Sequence, residues 1–224
     1  MTGMQLDHLS YAAGPGGLAE TVGRLTELLG EQFADGGVHP RFGTSNMILP
    51  LAGGHYLEAV EVLDHPASDK APFGQAARAL SRVGGGWLGW VCSVDDIVAH
   101  EARLGRTATE GNRHRPDGTE LRWRQIGASN LTTDPQLPVL IQWQTPDDVH
   151  PAAGATGHLA LAAVEIAGSP DEVERWLGCP VADVMGDIDV HWVGVDQDPQ
   201  RADGGPRTGV VAASVRTPGG LVQI

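Results

Sequence analysis

The sequence predicts an α+β fold: repeated βαβββ modules whose mixed sheets curve around a cup, with helices packed on the outside. Three observations lead there. Three successive segments show one order of elements, a strand, an amphipathic helix and then further short strands. The helices of the first two end alike, in Leu28-Leu29-Gly30 and Arg103-Leu104-Gly105. Each helix is followed by several strands and no GxGxxG opens one, which sets aside an alternating βαβ sheet.

The first module spans 6–62. LDHLSYAA (6–13) reads as a strand, and the helix at 17–29 follows with Leu18, Val22, Leu25, Leu28 and Leu29 at helical spacing. Gly30 supplies its stop. The stretch GGVHPRFGTSN (36–46) reads as a loop. A strand at 46–51, the Gly53-Gly54 turn and the strand HYLEAVEV (55–62) form a hairpin. A linker helix over 72–83 ends at the triple glycine 84–86.

The second module spans 87–144. WLGWVC (87–92) is a strand, and the helix SVDDIVAHEARLG opens with Ser93 and Asp96 in a capping-box-like relation. TELRWRQI (119–126) and LPVLIQWQ (137–144) are its later strands, the first preceded by a Pro116-Asp117-Gly118 turn. Residues 1–147 thus hold two paired modules, and 148–224 a third, related β-α-β module. Its strand HLALAAVEI (158–166) leads to a helix capped by Ser169, opened by Pro170 and stopped at Gly178. Strands at 190–195, 209–215 and 220–224 complete it, with DQDPQRADGGPR (196–207) as a polar, exposed loop.

Composition narrows the function classes. The formal net charge of −13, from 15 basic and 28 acidic residues, repels nucleic-acid phosphates and anionic membranes alike. No apolar run approaches the roughly 18 residues of a membrane span. The start MTGMQLDHLS does not read as a signal peptide, and the two distant cysteines, Cys92 and Cys179, read as reduced thiols. The expectation is a cytoplasmic protein with a small-molecule partner and no nucleic-acid or membrane partner.

DHLSYA (7–12), the helix ending in LLG, GGVHPRFGTSN, YLEAV (56–60), RPDGTELRWR (115–124) and LPVLIQW (137–143) occur in the order and spacing of a known fold. Together they resemble the glyoxalase-like branch of the vicinal-oxygen-chelate superfamily. That resemblance implies a cup formed by two paired modules. A divalent metal (Zn, Fe, Ni, Co or Mn) would sit in it, held by one residue from the first and one from the last strand of each module. Carried over, His8 and Glu58 match the first module's ligand positions, while Trp87 and Gln142 stand at those of the second. Tryptophan cannot ligate a metal and a glutamine carbonyl is a feeble ligand. The resemblance therefore implies either a metal-dependent lyase, isomerase or dioxygenase centred on His8 and Glu58, or a metal-free protein that sequesters a small ligand. Modules of this kind also pair between chains, so a homodimer is a further expectation.

Read on their own, these residues keep two meanings. His8 is a metal ligand and catalytic group, or a hydrogen-bonded histidine at a barrel mouth. Glu58 shares a strand face with Tyr56, Val60 and Val62, where a carboxylate is costly to bury unless paired or ligated. It is a ligand or general base, or the ion-pair partner of Arg122 or Arg124. His39, Arg41 and Asn46 lie close enough in sequence to receive a substrate oxygen. Trp123 and Trp143, with Gln142, are substrate-wall candidates, although core packing explains tryptophans too. Arg113 and Arg115, before the Pro-Asp-Gly turn, read as a rim for anionic groups or as plain solvated charges. His158 and Gln223 echo His8 and Glu58 loosely in the third module.

Overall fold

The computed structural model describes residues 3–195 and 207–224; all but the last residue of the 196–207 loop expected above lies outside them. Eight strands close into a barrel: β1 (Met4–Ala12), β2 (Ala34–His39), β3 (Thr44–Leu51), β4 (His55–Val62), β5 (Gly86–Val94), β6 (Thr109–His114), β7 (Glu120–Ile126) and β8 (Val139–Trp143). Their order around it is β1-β4-β3-β2-β6-β7-β8-β5. The two modules are related strand for strand, because β1 runs parallel to β4 as β5 does to β8. They join through a long antiparallel β1–β5 seam and through a single register pair, Val38 with His114, between β2 and β6.

The helices are α1 (Gly17–Leu29), α2 (Pro66–Lys70), α3 (Pro72–Arg82), α4 (Ile97–Leu104), α5 (Asn130–Thr133), α6 (Pro170–Leu177) and α7 (Val181–Met185). Thr21, Val22, Leu25 and Leu29 are the buried side of α1, while Leu28, expected on that stripe, is 44% exposed. Gly30, Gly105 and Gly178 end α1, α4 and α6 in the left-handed region, at φ 72°, 61° and 81°. The capping box expected from Ser93 is replaced by a simpler device. Ser93 belongs to β5, and Asp96 itself is the N-cap, accepting from the backbone N–H of Val98 and Ala99.

One stretch read as loop and one left unassigned are strands. β2 takes up the Gly-Gly pair of the expected GGVHPRFGTSN loop, and β6 lies in the polar run before the Pro-Asp-Gly turn. Both complete the barrel wall that carries the site. Barrel-lining residues such as Phe42, Val60, Val91, Trp123 and Ile141 form one apolar cluster with Ala76, Ala77 and Leu80 of α3. A larger cluster lies outside the barrel, under α1 and against the third segment.

That third segment forms its own sheet from β9 (Ala160–Ala167), β10 (Asp189–Val193), β11 (Gly209–Thr217) and β12 (Gly220–Gln223), in the order β10-β9-β11-β12. Its first strand lies parallel to the strand directly after the helices, whereas β1 and β5 lie parallel to the last strand of their modules. The sheet packs on the barrel's outside. The indoles of Trp87, Trp90 and Trp176 donate to the carbonyls of Ile224, Gln136 and Pro138.

Candidate active site

Strand alternation sends one set of side chains into the barrel. His8 and Tyr56 are register partners on β1 and β4, as are Ser10 and Glu58, so these four converge. His8 stacks on Tyr56 with ring centroids 4.3 Å apart. Asn46 from β3, next to β4, His39 from β2 and Arg113 from β6, further round the barrel, complete this polar side, and all are buried. The enclosed cavity is lined on its other side by Phe42, Phe73, Trp123, Val139, Ile141 and Trp143. The space open to the centre of a water molecule is about 40 Å³, room for roughly three waters.

Glu58 is the focus. Ser10 Oγ donates to its Oε2 at 2.7 Å and Asn46 Nδ2 to its Oε1 at 2.5 Å. The Nε2 atoms of His8 and His39 face the same two oxygens from 3.7 and 3.6 Å, beyond hydrogen-bond reach. Burial alone would raise the Glu58 carboxyl, but His8, His39, Arg113 and the Ser10 hydrogen bond outweigh it and hold the group below the ordinary range. His39 sits against Thr44 Oγ1 at 3.0 Å among the rings of Phe42, Phe73 and Trp123. Burial drives its pKa from 6.5 to about 4 against the opposing pull of Glu58. At neutral pH, then, an ionised carboxylate faces a neutral imidazole.

Behind His8 stands Asp7. The β1–β5 register shifts between Leu6 and His8, so Asp7 is the extra residue of a bulge and its carboxylate turns to its neighbour's ring. Asp7 Oδ1 lies 2.7 Å from His8 Nδ1, and Oδ2 accepts from Trp143 Nε1 at 2.9 Å and faces His150 Nε2 at 3.2 Å. Burial works against its charge, yet the hydrogen bonds of His150 and His8 hold its pKa far below the carboxylate norm. Asp7 fixes the His8 ring so that Nε2 points at Glu58.

The family profile described as Glyoxalase-like domain matches residues 6–179. The chain belongs to the glyoxalase-like domain family. None of the curated proteins matches it. Among solved structures, a hypothetical protein from Staphylococcus aureus shares the fold at 14% identity and a TM-score of 0.57, over 78% of this chain and 76% of that one. Methylmalonyl-CoA epimerase from Mycobacterium tuberculosis is 17% identical, with a TM-score of 0.44 over 63% of this chain and 89% of its own. A Streptomyces coelicolor methylmalonyl-CoA epimerase variant in complex with 2-nitronate-propionyl-CoA is 15% identical, with a TM-score of 0.44 over 63% and 98%.

The four-ligand metal set implied by the resemblance does not assemble in this glyoxalase-like domain. Val91, the register partner of His8 on β5, and Ile141 on β8 line the cavity where the second module's ligands would stand. Trp87 lies outside the barrel, edge-on to Tyr11 with its indole donating to Ile224. Gln142 also points away from the cavity, bridging Ile97 N and the Asp95 carbonyl at the start of α4. Among the described residues no group of three or more His, Cys, Asp or Glu side chains is placed to hold a metal ion. Both Glu58 oxygens are already engaged by neutral donors.

Of the other expected site residues, His8, Glu58, His39, Asn46, Trp123 and Trp143 do come together. Arg41 does not: it pairs with Glu110 on the surface. Arg122 and Arg124, offered as partners for Glu58, pair with Glu120 and Glu101 instead. Arg115 donates to the Val149 carbonyl. His158 is exposed, and Gln223 donates to Glu165. Arg113, read as a rim for anionic groups or a solvated charge, is not solvated: it is 1% exposed and lines the cavity. The signal was in the hairpin: the Pro-Asp-Gly turn puts Arg113 opposite Leu121 and Gly111 opposite Trp123, and Leu121 and Trp123 are buried. Asp7 and His150 left no such signal, because a bulge and a distant loop bring them in, whereas Ser10 follows from His8 by strand alternation.

Proposed function

We propose that this chain acts on a small oxygenated organic molecule by moving a proton at a carbon beside a carbonyl, with Glu58 as the base. One observation carries the reading: a buried carboxylate is aimed into a small cavity between two imidazole Nε2 atoms that make no hydrogen bond with it. In such a place a general base is effective, because its hydration is replaced by fixed donors. Ser10 and Asn46 hold the carboxylate in position. His8, oriented by Asp7, and neutral His39 are placed to polarise the substrate oxygen and to hold or return a proton. Among the lyase, isomerase and dioxygenase reactions that the resemblance implies, this arrangement supports the proton transfers of the first two.

The apolar residues Val91 and Ile141 favour a reaction that runs on the chain's own side chains over a metal-dependent one. Protein purified without chelator and titrated with Zn²⁺ or Mn²⁺ tests this. Stoichiometric uptake that His8→Ala and Glu58→Ala abolish would restore the metalloenzyme reading. The aromatic walls support a second reading, a protein that binds its ligand without turning it over.

Exchange of the C3 hydrogens of 2-oxobutanoate, 2-oxobutanamide and hydroxyacetone in D2O, followed by NMR, separates the two. The base reading expects exchange above the buffer rate with at least one probe, and a fall of about 10²- to 10⁴-fold in Glu58→Gln. Equal rates in wild type and variant would leave only the binding reading.

A further inference from the structure

Arg113 is a buried cation with no ion-pair partner at contact distance among the described residues, and Tyr56, Glu58 and Asp7 act on it only through space. It comes from the middle of the barrel wall, is 1% exposed and borders the cavity. Its Nε and Nη2 make no hydrogen bond, and it enters none of the ion pairs among the described residues. Other arginines are placed differently: Arg41, Arg78, Arg122 and Arg124 each have a carboxylate within 3.3 Å. A buried guanidinium left unpaired costs stability, and such a cost is characteristic of a residue kept for a ligand. Glu58 does not satisfy it, since its oxygens are turned to Ser10 and Asn46.

We infer that Arg113 is an anion receptor and that the ligand of this cavity carries a carboxylate. The inference rests on the proposed function for the site and adds the ligand's chemical class. The two orphaned nitrogens form one edge of the guanidinium, and parallel N–H groups on one edge match the two oxygens of a carboxylate. Phosphate fits less well. Arg113 is the one arginine or lysine among the described residues lining the cavity, and a dianion beside Glu58 would meet its repulsion with a single fixed positive charge to offset it. The aromatic and aliphatic wall opposite suits a short apolar remainder, and the cavity's size keeps that remainder small. The ligand is therefore a small carboxylic acid with a carbonyl or hydroxyl on a neighbouring carbon. Its carboxylate sits on Arg113 and its acidic C–H faces Glu58.

The test measures binding of 2-oxobutanoate, 2-oxobutanamide and inorganic phosphate, by calorimetry and by quenching of tryptophan emission, since Trp123 and Trp143 line the cavity. Wild type is expected to bind the carboxylate about 10- to 100-fold more tightly than the amide, the range of charge-assisted hydrogen bonds. Arg113→Met should remove that preference and Arg113→Lys should keep part of it, with circular dichroism reporting that both remain folded. Glu58→Gln should keep the preference or enlarge it, because it removes a negative charge beside the bound carboxylate. Equal binding of carboxylate and amide, no saturable carboxylate binding, a preference that survives Arg113→Met, or tighter binding of phosphate would each overturn the inference. If the preference fails but C3 exchange still depends on Glu58, the base reading stands alone. If the preference holds and exchange does not occur, the receptor stands and the base reading falls.

Discussion

His39 predicts a specific acid sensitivity. Its ring is 3% exposed and enclosed by Phe42, Phe73 and Trp123, and burial lowers its pKa from 6.5 to about 4. Between those two values the unfolded chain binds a proton that the folded chain refuses, so stability must rise with pH across that window and fall as the solution is acidified. A displacement of this size corresponds to roughly 3 kcal/mol, or a drop of about 6–12 °C in Tm for a chain of this length. Burial lowers His55 and His100 as well, so the wild-type slope exceeds the share of His39. The diagnostic quantity is the difference between wild type and His39→Gln in urea unfolding from pH 4 to 7. The variant keeps a polar group beside Thr44, and its absolute stability does not matter here. A slope smaller than that of wild type by roughly 3 kcal/mol over the window is the expected result. Identical slopes would mean that His39 is protonated in the folded protein, and the picture of a neutral imidazole facing Glu58 would fall with it.

Three further outcomes follow from the same cavity. Arg113→Met combined with Glu58→Gln removes both charges without opening a void, and should raise the unliganded protein's stability by about 1–2 kcal/mol in urea titrations; a loss would show that the two charges stabilise the apo barrel. In Gly111→Ala the new Cβ would lie 2.3 Å from Trp123 Cε2, so the indole must move into the cavity. A loss of about 1–3 kcal/mol and an altered tryptophan emission are expected, whereas an unchanged spectrum would contradict this packing. Asp7→Asn removes the charge that His8, Trp143 and His150 share, and should lower stability by about 2–3 kcal/mol and slow C3 exchange. Unaltered exchange would remove Asp7 from the orientation of His8.

The modular order of elements was legible because strong signals repeat: amphipathic helices closed by Gly30, Gly105 and Gly178, and apolar strands such as WLGWVC. The strands that escaped the pattern, β2 and β6, did so for the reason that lets them work. Gly37 has φ 103°, and a Cβ there would lie 1.9 Å from the His114 carbonyl, so only glycine permits β2 to meet β6 and close the barrel. Gly111 leaves the space that Trp123 occupies. Glycines in a polar stretch read as loop, and with β6 unseen the inward alternation that carries Arg113 was hidden. His8 and Glu58 were placed by the resemblance, and the parallel pairing of β1 with β4 brings their strands together. Counting back from a helix failed in the second module, where the register with β1 selects Val91 and not Trp87 for the cup.

The two modules of this barrel have divided the labour that related strands could have shared. β1 to β4 supply nearly all the polarity: Asp7, His8, Ser10, His39, Asn46 and Glu58. β5, β7 and β8 supply mainly an apolar wall, to which β6 adds one guanidinium. The resemblance implies a metal held by ligands from both halves, and Val91 and Ile141, which line the cavity from the second, are not metal ligands. A proton transfer needs something different: a fixed base on one side, a seat for the substrate's charge on another, and dry walls between. Glu58, Arg113 and the aromatic wall meet those three needs from three directions. On the proposed reading, the asymmetry between the modules is what a proton-transfer site requires of a barrel built from two related halves.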